Sequence, residues 1–330
     1  MNSYQGVERK PWSSPAVVRP HLYIILILAA MLATFVAHLR RDAIFACPAP
    51  DYAKGYYLAY CQAAAYADYE HGAYWFGLES EARQSVAAAD VLFLGDSRLQ
   101  FGFSTRALAD WFAARSRTYH LLGFGYDENS NFAGALLNRL RPRARAYVIS
   151  LDDFFVETLT PPARELLAKG TWDVQRSYEA KRIWQFAHRL ICGSMPFLCG
   201  SSASFFRDSK TGAWLFAGVP PNLGYSREDV PADHEQVARG EPIGAKFIAD
   251  LGVDRSCVFM TYIPTLRSEL ATAQALADKL GFEMVSPQLD GFETFDTSHL
   301  TPASAERFTS AVLERIGPRL AACLQADKPK

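Results

Sequence analysis

The chain has 330 residues, with 34 Lys and Arg against 35 Asp and Glu, which gives a formal net charge of −1 at pH 7. Because these charges balance, the composition offers no electrostatic case for binding nucleic acid. The length suits one large α/β domain with an insertion, or two domains. Aromatic residues make up 13% of the chain; they serve a hydrophobic core first and only weakly suggest a carbohydrate-facing cleft.

An apolar run near the N-terminus extends from Leu22 to Ala37 and is interrupted only by Thr34. With its flanks, residues 21–39, it is just long enough for a tilted transmembrane helix. It is longer than a usual signal-peptide core, and no small-x-small cleavage site follows it, so we interpret it as an uncleaved signal anchor. Basic residues lie on both sides, so the positive-inside rule gives little guidance. A buried helix of a soluble protein is the alternative.

Six cysteines follow this run, and none shows the C-x-x-C spacing of zinc sites. Cys47 with Cys61, and Cys192 with Cys199, each bracket a short segment that contains proline. Both pairs would form small disulfide loops in an oxidising compartment, which places the residues beyond about 42 outside the cytoplasmic membrane. Six reduced, partly buried thiols in a cytosolic domain are the alternative.

The segment that follows the anchor, residues 40–88, is rich in Ala and Tyr, and its spacing predicts helix. The segment packs on the next domain, or its aromatic residues lie at the level of the lipid headgroups. From residue 89 strands and helices alternate. This alternation predicts a parallel sheet with helices on both faces. The expected strands are 89–94, 118–124, 144–151, 256–263 and 282–286, and the expected helices are 105–114, 129–141, 265–280 and 303–324.

The alternation of strands and helices is lost over residues 154–245. There the sequence predicts a helix only at 176–190, and Gly, Pro and Ser recur through 193–231. A segment of this length in a compact domain is either a lid or binding surface, or a structural cover of the sheet. Both interpretations of the insertion remain open.

The expected organisation is a cytoplasmic tail 1–20, an anchor 21–39, a juxtamembrane segment 40–88, a domain 89–324 with an insertion at about 154–245, and a tail 325–330.

The first expected strand of this domain, 89–94, is followed by Gly95-Asp96-Ser97. A serine at the carboxyl end of a buried strand lies where open α/β sheets place their ligand chemistry, although a serine in such a turn can also be a helix cap. A second stretch, Asp296-Thr297-Ser298-His299, precedes the last helix and supplies the base and acid that an activated serine needs. The residues 68–71 also spell Asp-x-x-His, which we interpret as coincidence.

Together, Gly95-Asp96-Ser97 and Asp296-x-x-His299 resemble the SGNH, or GDSL-type, hydrolase superfamily of esterases and O-acyltransferases, and they occur in the order found there. The resemblance covers residues 89–152 and 256–320. It implies a three-layer αβα, flavodoxin-like fold with a parallel sheet. Ser97 would be the nucleophile, His299 the general base and Asp296 the orienting carboxylate.

An oxyanion hole needs preorganised donors, and the backbone N–H of Ser97 is the first candidate. In the superfamily, a glycine after the second strand and an asparagine after the third supply the others. The second-strand loop offers two glycines, of which we choose Gly125 over Gly123.

The third-strand block places Asp152 where family members often have asparagine. A carboxylate there would repel a developing oxyanion unless it were protonated or turned away. Either Asn129 or Asn131 substitutes, or the hole has only two backbone donors, or activity is reduced; we name Asn129 as the third donor. Arg98 could bind an anionic or hydroxyl-rich part of the substrate, or form a salt bridge to Asp152 or Asp153.

Within the superfamily, the plan most resembles membrane-anchored members of bacterial cell-envelope polysaccharide pathways, which share a Leu-Gly-Asp-Ser-Arg block. The resemblance implies an O-acyl transferase or esterase, with acetyl the expected group, that acts through an acyl-serine on a cell-envelope or exopolysaccharide. Its partners would be an acyl donor, a polysaccharide acceptor and a membrane-bound O-acyltransferase, at the periplasmic side of the inner membrane. We expect no cofactor and no metal. The alternative is a non-catalytic glycan-binding scaffold with a degenerate site.

Overall fold

The computed structural model of the chain describes residues 20–41, 45–48, 55–63, 66–168, 171–200, 202–217, 223–224 and 228–325. The expected tails, 1–20 and 325–330, lie outside these ranges except for Pro20 and Gln325, which are the end residues of α1 and α11. Helices are numbered in chain order. They are α1 Pro20–Arg41, α2 Glu70–Phe76, α3 Ser80–Ala88, α4 Ser97–Gly102, α5 Thr105–Ala113, α6 Ser130–Leu140, α7 Pro161–Ala168, α8 Thr171–Ser194, α9 His234–Asp250, α10 Leu270–Leu280 and α11 Pro302–Gln325.

The strands are numbered in the same way, and several consist of only two residues. They are β1 Tyr56–Cys61, β2 Ala67–Asp68, β3 Val91–Gly95, β4 Tyr119–Gly123, β5 Ala146–Ser150, β6 Ser204–Asp208, β7 Trp214–Ala217, β8 Leu223–Gly224, β9 Glu228–Asp229, β10 Val258–Thr261, β11 Arg267–Ser268, β12 Met284–Val285 and β13 Glu293–Thr294.

Five of these strands form one parallel sheet in the order β12-β10-β5-β3-β4. Successive side chains of a strand point to opposite faces. Leu92 and Leu94 therefore pack with α2, α3, α6, α9 and α10, whereas Val91 and Phe93 pack with α4, α5 and α11. Burial on both faces explains why β3 is apolar throughout rather than alternating. The expected α/β architecture with a parallel sheet is confirmed.

A second, antiparallel sheet has the order β2-β1-β6-β7. It pairs β1 from the juxtamembrane segment with β6 from the insertion, so the two regions fold together. The expectation of helix was therefore wrong for 56–61, where Tyr57, Leu58 and Ala59 are buried in a strand. Aromatic residues suit a half-buried pleated surface, and the helical part of the segment is confined to α2 and α3.

The insertion is more regular than its composition indicated. The helix expected at 176–190 is the longer α8, and α9 begins inside the insertion and runs past its expected end at 245. Helix α4 also starts at Ser97, earlier than the expected helix at 105. The insertion thus supplies two long helices and the hairpin β6–β7, which forms two of the four strands of the second sheet.

Three disulfides join the six cysteines. The two expected loops, Cys47–Cys61 and Cys192–Cys199, are both present. The third bridge, Cys257–Cys323, was not predicted; it fastens the start of β10 to α11 across 66 positions of sequence.

Helix α1 contains 22 residues and is almost entirely exposed, which excludes the alternative of a buried core helix. Its length, about 33 Å at 1.5 Å per residue, matches the hydrocarbon thickness of a bilayer. One apolar N-terminal helix and three disulfides are consistent with a single-pass membrane protein that has an extracytoplasmic domain.

The Asp-x-x-His at 68–71 forms a buried ion-pair network. His71 contacts Asp68 through Nδ1 at 2.8 Å and Glu128 through Nε2 at 3.1 Å. Burial alone would lower the pKa of His71, but the two carboxylates raise it to about 10. Ligand atoms of Asp68, Glu70 and His71 lie within 4.8 Å of one another. Since Glu70 is bound to Arg207, these donors already have partners, and the network stabilises the fold rather than offering a metal site.

Gly72 in α2 faces the ring of Tyr178, and an added Cβ would lie 2.2–2.4 Å from that ring. Tyr178 donates a hydrogen bond to Asp68 and has little freedom to move. We expect Gly72→Ala to lower the free energy of unfolding by about 1–3 kcal/mol. Gly193→Ala is the control, because a Cβ there meets nothing within 4 Å. Urea unfolding of both variants in detergent tests this, and equal stabilities would contradict it.

Candidate active site

Ser97 lies in the first turn of α4, directly after the buried strand β3. A side-chain oxygen of Asp96 caps this helix by accepting a hydrogen bond from the N–H of Arg98 at 2.8 Å. The helix cap is therefore Asp96 and not Ser97, for which the sequence left a capping role open. The hydroxyl of Ser97 therefore remains available for another partner.

That partner is His299. The Nε2 atom of His299 lies 2.9 Å from Ser97 Oγ, and its Nδ1 atom lies 2.6 Å from Asp296 Oδ2. The other carboxylate oxygen accepts from the backbone N–H groups of Ser298 and His299, at 3.1 and 2.8 Å. The turn is held with Thr297 at a φ of +72°. Two stretches about 200 residues apart thus meet in one hydrogen-bonded chain.

The surroundings keep Asp296 ionised. Partial burial alone would raise its pKa, but hydrogen bonds and the charge of His299 lower it below the ordinary value. An ionised carboxylate holds the imidazole in the tautomer that carries a proton on Nδ1, which leaves Nε2 free to accept the proton of Ser97.

Two phenyl rings enclose the imidazole, and sequence reasoning missed both. Phe295 stacks on His299 with centroids 5.5 Å apart, and Phe101 meets it edge-on at 4.8 Å. Phe101 lies four residues after Ser97, so both are on one face of α4. The spacing of four residues between Ser97 and Phe101 was the sequence signal that could have identified Phe101. The rings restrict the orientation of the imidazole and exclude water from one side of it.

Arg98 forms the salt bridge that the sequence analysis left as an alternative. Its Nη1 donates to Asp152 Oδ1 at 3.1 Å, and its Nε donates to Ser298 Oγ at 3.2 Å. Asp152 is buried and also accepts from Ser150 Oγ at 2.7 Å. The carboxylate is thus engaged by two donors. A direct role of Arg98 in substrate binding remains a prediction.

The two further oxyanion donors already have partners in this structure. The Gly125 N–H donates to Glu70 Oε1 at 3.2 Å. Asn129 caps α6: its Oδ1 accepts from the Asn131 N–H, and its Nδ2 donates to the Thr158 carbonyl at 2.9 Å. Asn131 also donates from its side chain. By contrast, the Ser97 N–H belongs to a first helical turn, whose N–H groups have no partner within the helix.

A buried ion pair holds the Gly125 loop, and no sequence signal indicated it. Glu70 Oε2 accepts from Arg207 Nη1 at 2.7 Å and from Trp214 Nε1 at 2.9 Å. Arg207 is completely buried and also donates to the Leu121 carbonyl at 2.7 Å. Strands of the insertion thereby fix the loop after β4, which gives that segment a structural link to the site.

Asp96 is buried, and this burial together with the Asp152 carboxylate raises its pKa to about 8, although Arg98 acts in the opposite direction. The folded protein then keeps the proton up to about pH 8, whereas an unfolded chain loses it near pH 4. Stability should fall as pH rises through this window.

Asp96→Asn keeps a capping oxygen without a charge. Between pH 5 and pH 8 we expect this variant to gain stability relative to the wild type, on the order of 1 kcal/mol or more. Urea unfolding at both pH values measures this difference. If the two proteins responded to pH in parallel, the buried proton on Asp96 would be refuted.

A cleft of about 590 Å³ opens at the same edge of the sheet, lined by the loops after β4 and β5 and by α9. Tyr126, Asp127 and Asp153 line it, with φ values of +66°, +52° and +49°. A non-glycine residue with such a positive φ raises the conformational energy of the folded backbone by about 1 kcal/mol or more. Residues of this kind cluster at functional sites. A smaller, more apolar cleft of about 340 Å³ is lined by Phe101, Phe295 and their aromatic neighbours.

No family model, curated protein or solved structure matches this chain. The chemistry open to the site follows from its own atoms. It offers a hydroxyl, an imidazole within hydrogen-bond distance to take its proton, and a carboxylate to hold the imidazole. These are the groups that nucleophilic acyl transfer requires.

Proposed function

We propose that this chain is an extracytoplasmic, serine-dependent O-acyltransferase or esterase that acts on a cell-envelope or exopolysaccharide glycan. The observation that carries the proposal is the chain Ser97–His299–Asp296, with separations of 2.9 and 2.6 Å. The proposal also rests on the motifs Gly95-Asp96-Ser97 and Asp296-x-x-His299, which resemble those of SGNH-type hydrolases.

The topology supports the same proposal. Counted along the chain, the five parallel strands have the spatial order 2-1-3-4-5, which is that of the flavodoxin-like fold. In such sheets ligands bind outside the carboxyl ends of the strands, where the strand order reverses. Here that point lies between β3 and β5, which are followed by Ser97 and by Asp152.

The proposed reaction has two halves. His299 Nε2 takes the proton of Ser97 as Oγ attacks the acyl carbonyl carbon, and the donor's C–O bond then breaks as His299 protonates the departing oxygen. A sugar hydroxyl or water next gives its proton to His299 as its oxygen attacks the carbonyl carbon of the acyl-serine. The bond between that carbon and Ser97 Oγ then breaks, and His299 returns the proton to Oγ. The Ser97 N–H would bind the oxyanion, and Gly125 and Asn129 would join it only after exchanging their present partners.

The cleft of about 590 Å³ suits the glycan acceptor. Its walls carry hydroxyl, amide and carboxylate groups together with Tyr126 and Phe155, the mixture that sugar hydroxyls and sugar faces need. Asp153, which lines the cleft, follows Asp152, the residue that Arg98 binds. Transfer rather than hydrolysis depends on an acceptor there excluding water from the acyl-serine.

One observation favours the second candidate, a non-catalytic glycan-binding scaffold. Both expected accessory donors, the Gly125 amide and the Asn129 side chain, are engaged by other groups. A site with only one open donor would stabilise an oxyanion weakly. The scaffold would bind glycan in the same cleft without forming an acyl-serine.

The experiment incubates the full chain, in detergent with its disulfides intact, with 4-nitrophenyl acetate and a panel of oligosaccharides. Nitrophenol release above that of Ser97→Ala supports an enzyme, and acetyl on an oligosaccharide identifies a transferase. Oligosaccharide binding with no release above the variant would support the scaffold instead.

A further inference from the structure

Helix α8 presents an apolar stripe to the outside of the molecule. Ile183, Phe186 and Leu190 are 72%, 73% and 63% exposed. Their spacing of three and four residues places them on one face of the helix. Phe197, in the short 3-10 turn after the helix, is also exposed. Single exposed apolar residues are ordinary, but a contiguous apolar patch marks a surface that contacts something other than water.

The stripe ends where the anchor helix ends. Leu39 in the last turn of α1 packs in one cluster with Cys192 and Cys199, the disulfide that closes the end of α8. Gly200 lies against the backbone of α1 so closely that an added Cβ would be 2.4 Å from the Arg40 carbonyl oxygen. The end of α8 is thus fastened to the end of α1.

The membrane position of α1 therefore fixes that of the stripe. The last turn of α1 carries His38, Arg40 and Arg41, residues expected at the level of the lipid headgroups. The disulfide loop packed against this turn lies at the same level. From Ile183 to Ser194 the helix extends about 17 Å away from that point, so the exposed side chains begin at the bilayer surface.

The charges of this stretch fit a lipid surface. Residues 180–198 contain no carboxylate, although the exposed Glu179 directly precedes them, and their exposed cations are Arg182 and Arg189, since Lys181 donates inward to the Asp68 carbonyl. Helices that lie in the membrane interface combine an apolar stripe with basic residues beside it. The continuity with α1 and the absence of carboxylates in this stretch both favour lipid over a second copy of the chain.

We infer that α8 lies along the bilayer surface, with Ile183, Phe186, Leu190 and Phe197 inserted at the boundary between headgroups and acyl chains. The domain is then held to the membrane at two places, by α1 and by α8. This arrangement restricts how the domain can turn about its anchor. It does not depend on the chemistry at Ser97.

The test uses the full chain in phospholipid vesicles with a Phe186→Cys substitution labelled with the fluorophore NBD. The native cysteines within the described residues are all in disulfides, so the new thiol is the one that reacts. Lys246→Cys, on the exposed face of α9, is the matched control. Lipids with a doxyl quencher near the headgroup should quench the label at 186 several-fold more than the label at 246.

Equal, water-like emission at both positions would overturn the inference. Emission from 186 that is shielded from water but not quenched by doxyl lipid would also overturn it, because it would show protein over the stripe, as in a second copy of the chain. Both positions are exposed, so the substitutions should leave the fold intact, which far-UV circular dichroism verifies.

Discussion

His299→Ala is expected to lower the turnover of 4-nitrophenyl acetate by about 1,000-fold or more. Among the described residues, the hydrogen-bond partner of Ser97 Oγ is His299 Nε2, so the variant loses the group that takes the proton of the serine. The hydroxyl would then attack only in its weakly nucleophilic, protonated form.

His234→Ala is the control for this prediction, because His234 is an exposed residue at the start of α9 and should tolerate the change. Initial rates of nitrophenol release, with the full chain in detergent, give the comparison. If His299→Ala kept more than a tenth of the wild-type rate, His299 would not be the general base.

The second large effect concerns the unexpected disulfide. Replacing Cys257 and Cys323 together by serine should lower the free energy of unfolding by about 4 kcal/mol, because the loop-closure entropy of an unfolded chain grows with loop length. This bridge spans 66 positions and joins the start of β10, a strand of the central sheet, to α11, which packs on that sheet.

The bridge Cys192–Cys199 spans only 7 positions and provides the matched control. Its replacement by two serines should cost about 2 kcal/mol. Urea unfolding of the three proteins under non-reducing conditions measures both differences. Equal losses for the two bridges would contradict the loop-length argument.

The central sheet was predictable because its strands are buried on both faces. Val91–Gly95 and Ala146–Ser150 are continuous apolar runs that end in polar turns, and such runs stand out in a sequence. The chain Ser97–His299–Asp296 was predictable for a related reason. Each half lies at the end of a regular element, so the fold that places the elements also places the side chains.

The second sheet was not predictable, because its pairing is non-local. Tyr56 pairs with Asp208 across about 150 residues of chain, and the sequence of neither segment indicates which strand it pairs with. The buried pair of Glu70 and Arg207 has the same origin. Local spacing made 56–61 look helical, and tertiary pairing overrode that preference.

The details of the oxyanion site were beyond the sequence for a different reason. Gly125 and Asn129 occupy the loop positions that were expected, but their donors point to Glu70 and Thr158. A motif gives the position of a residue along the chain. The direction of a hydrogen bond depends on neighbours such as Glu70, which comes from a distant segment.

Whether Ser97 is an activated nucleophile is measured most directly by covalent labelling of the full chain, in detergent, with a fluorophosphonate probe. Peptide mass spectrometry then locates the label. We expect one label on Ser97, which is lost in Ser97→Ala and strongly slowed in His299→Ala. If the folded wild-type protein took up no more probe than Ser97→Ala, the serine would not be an activated nucleophile. The glycan-binding scaffold would then be the better description.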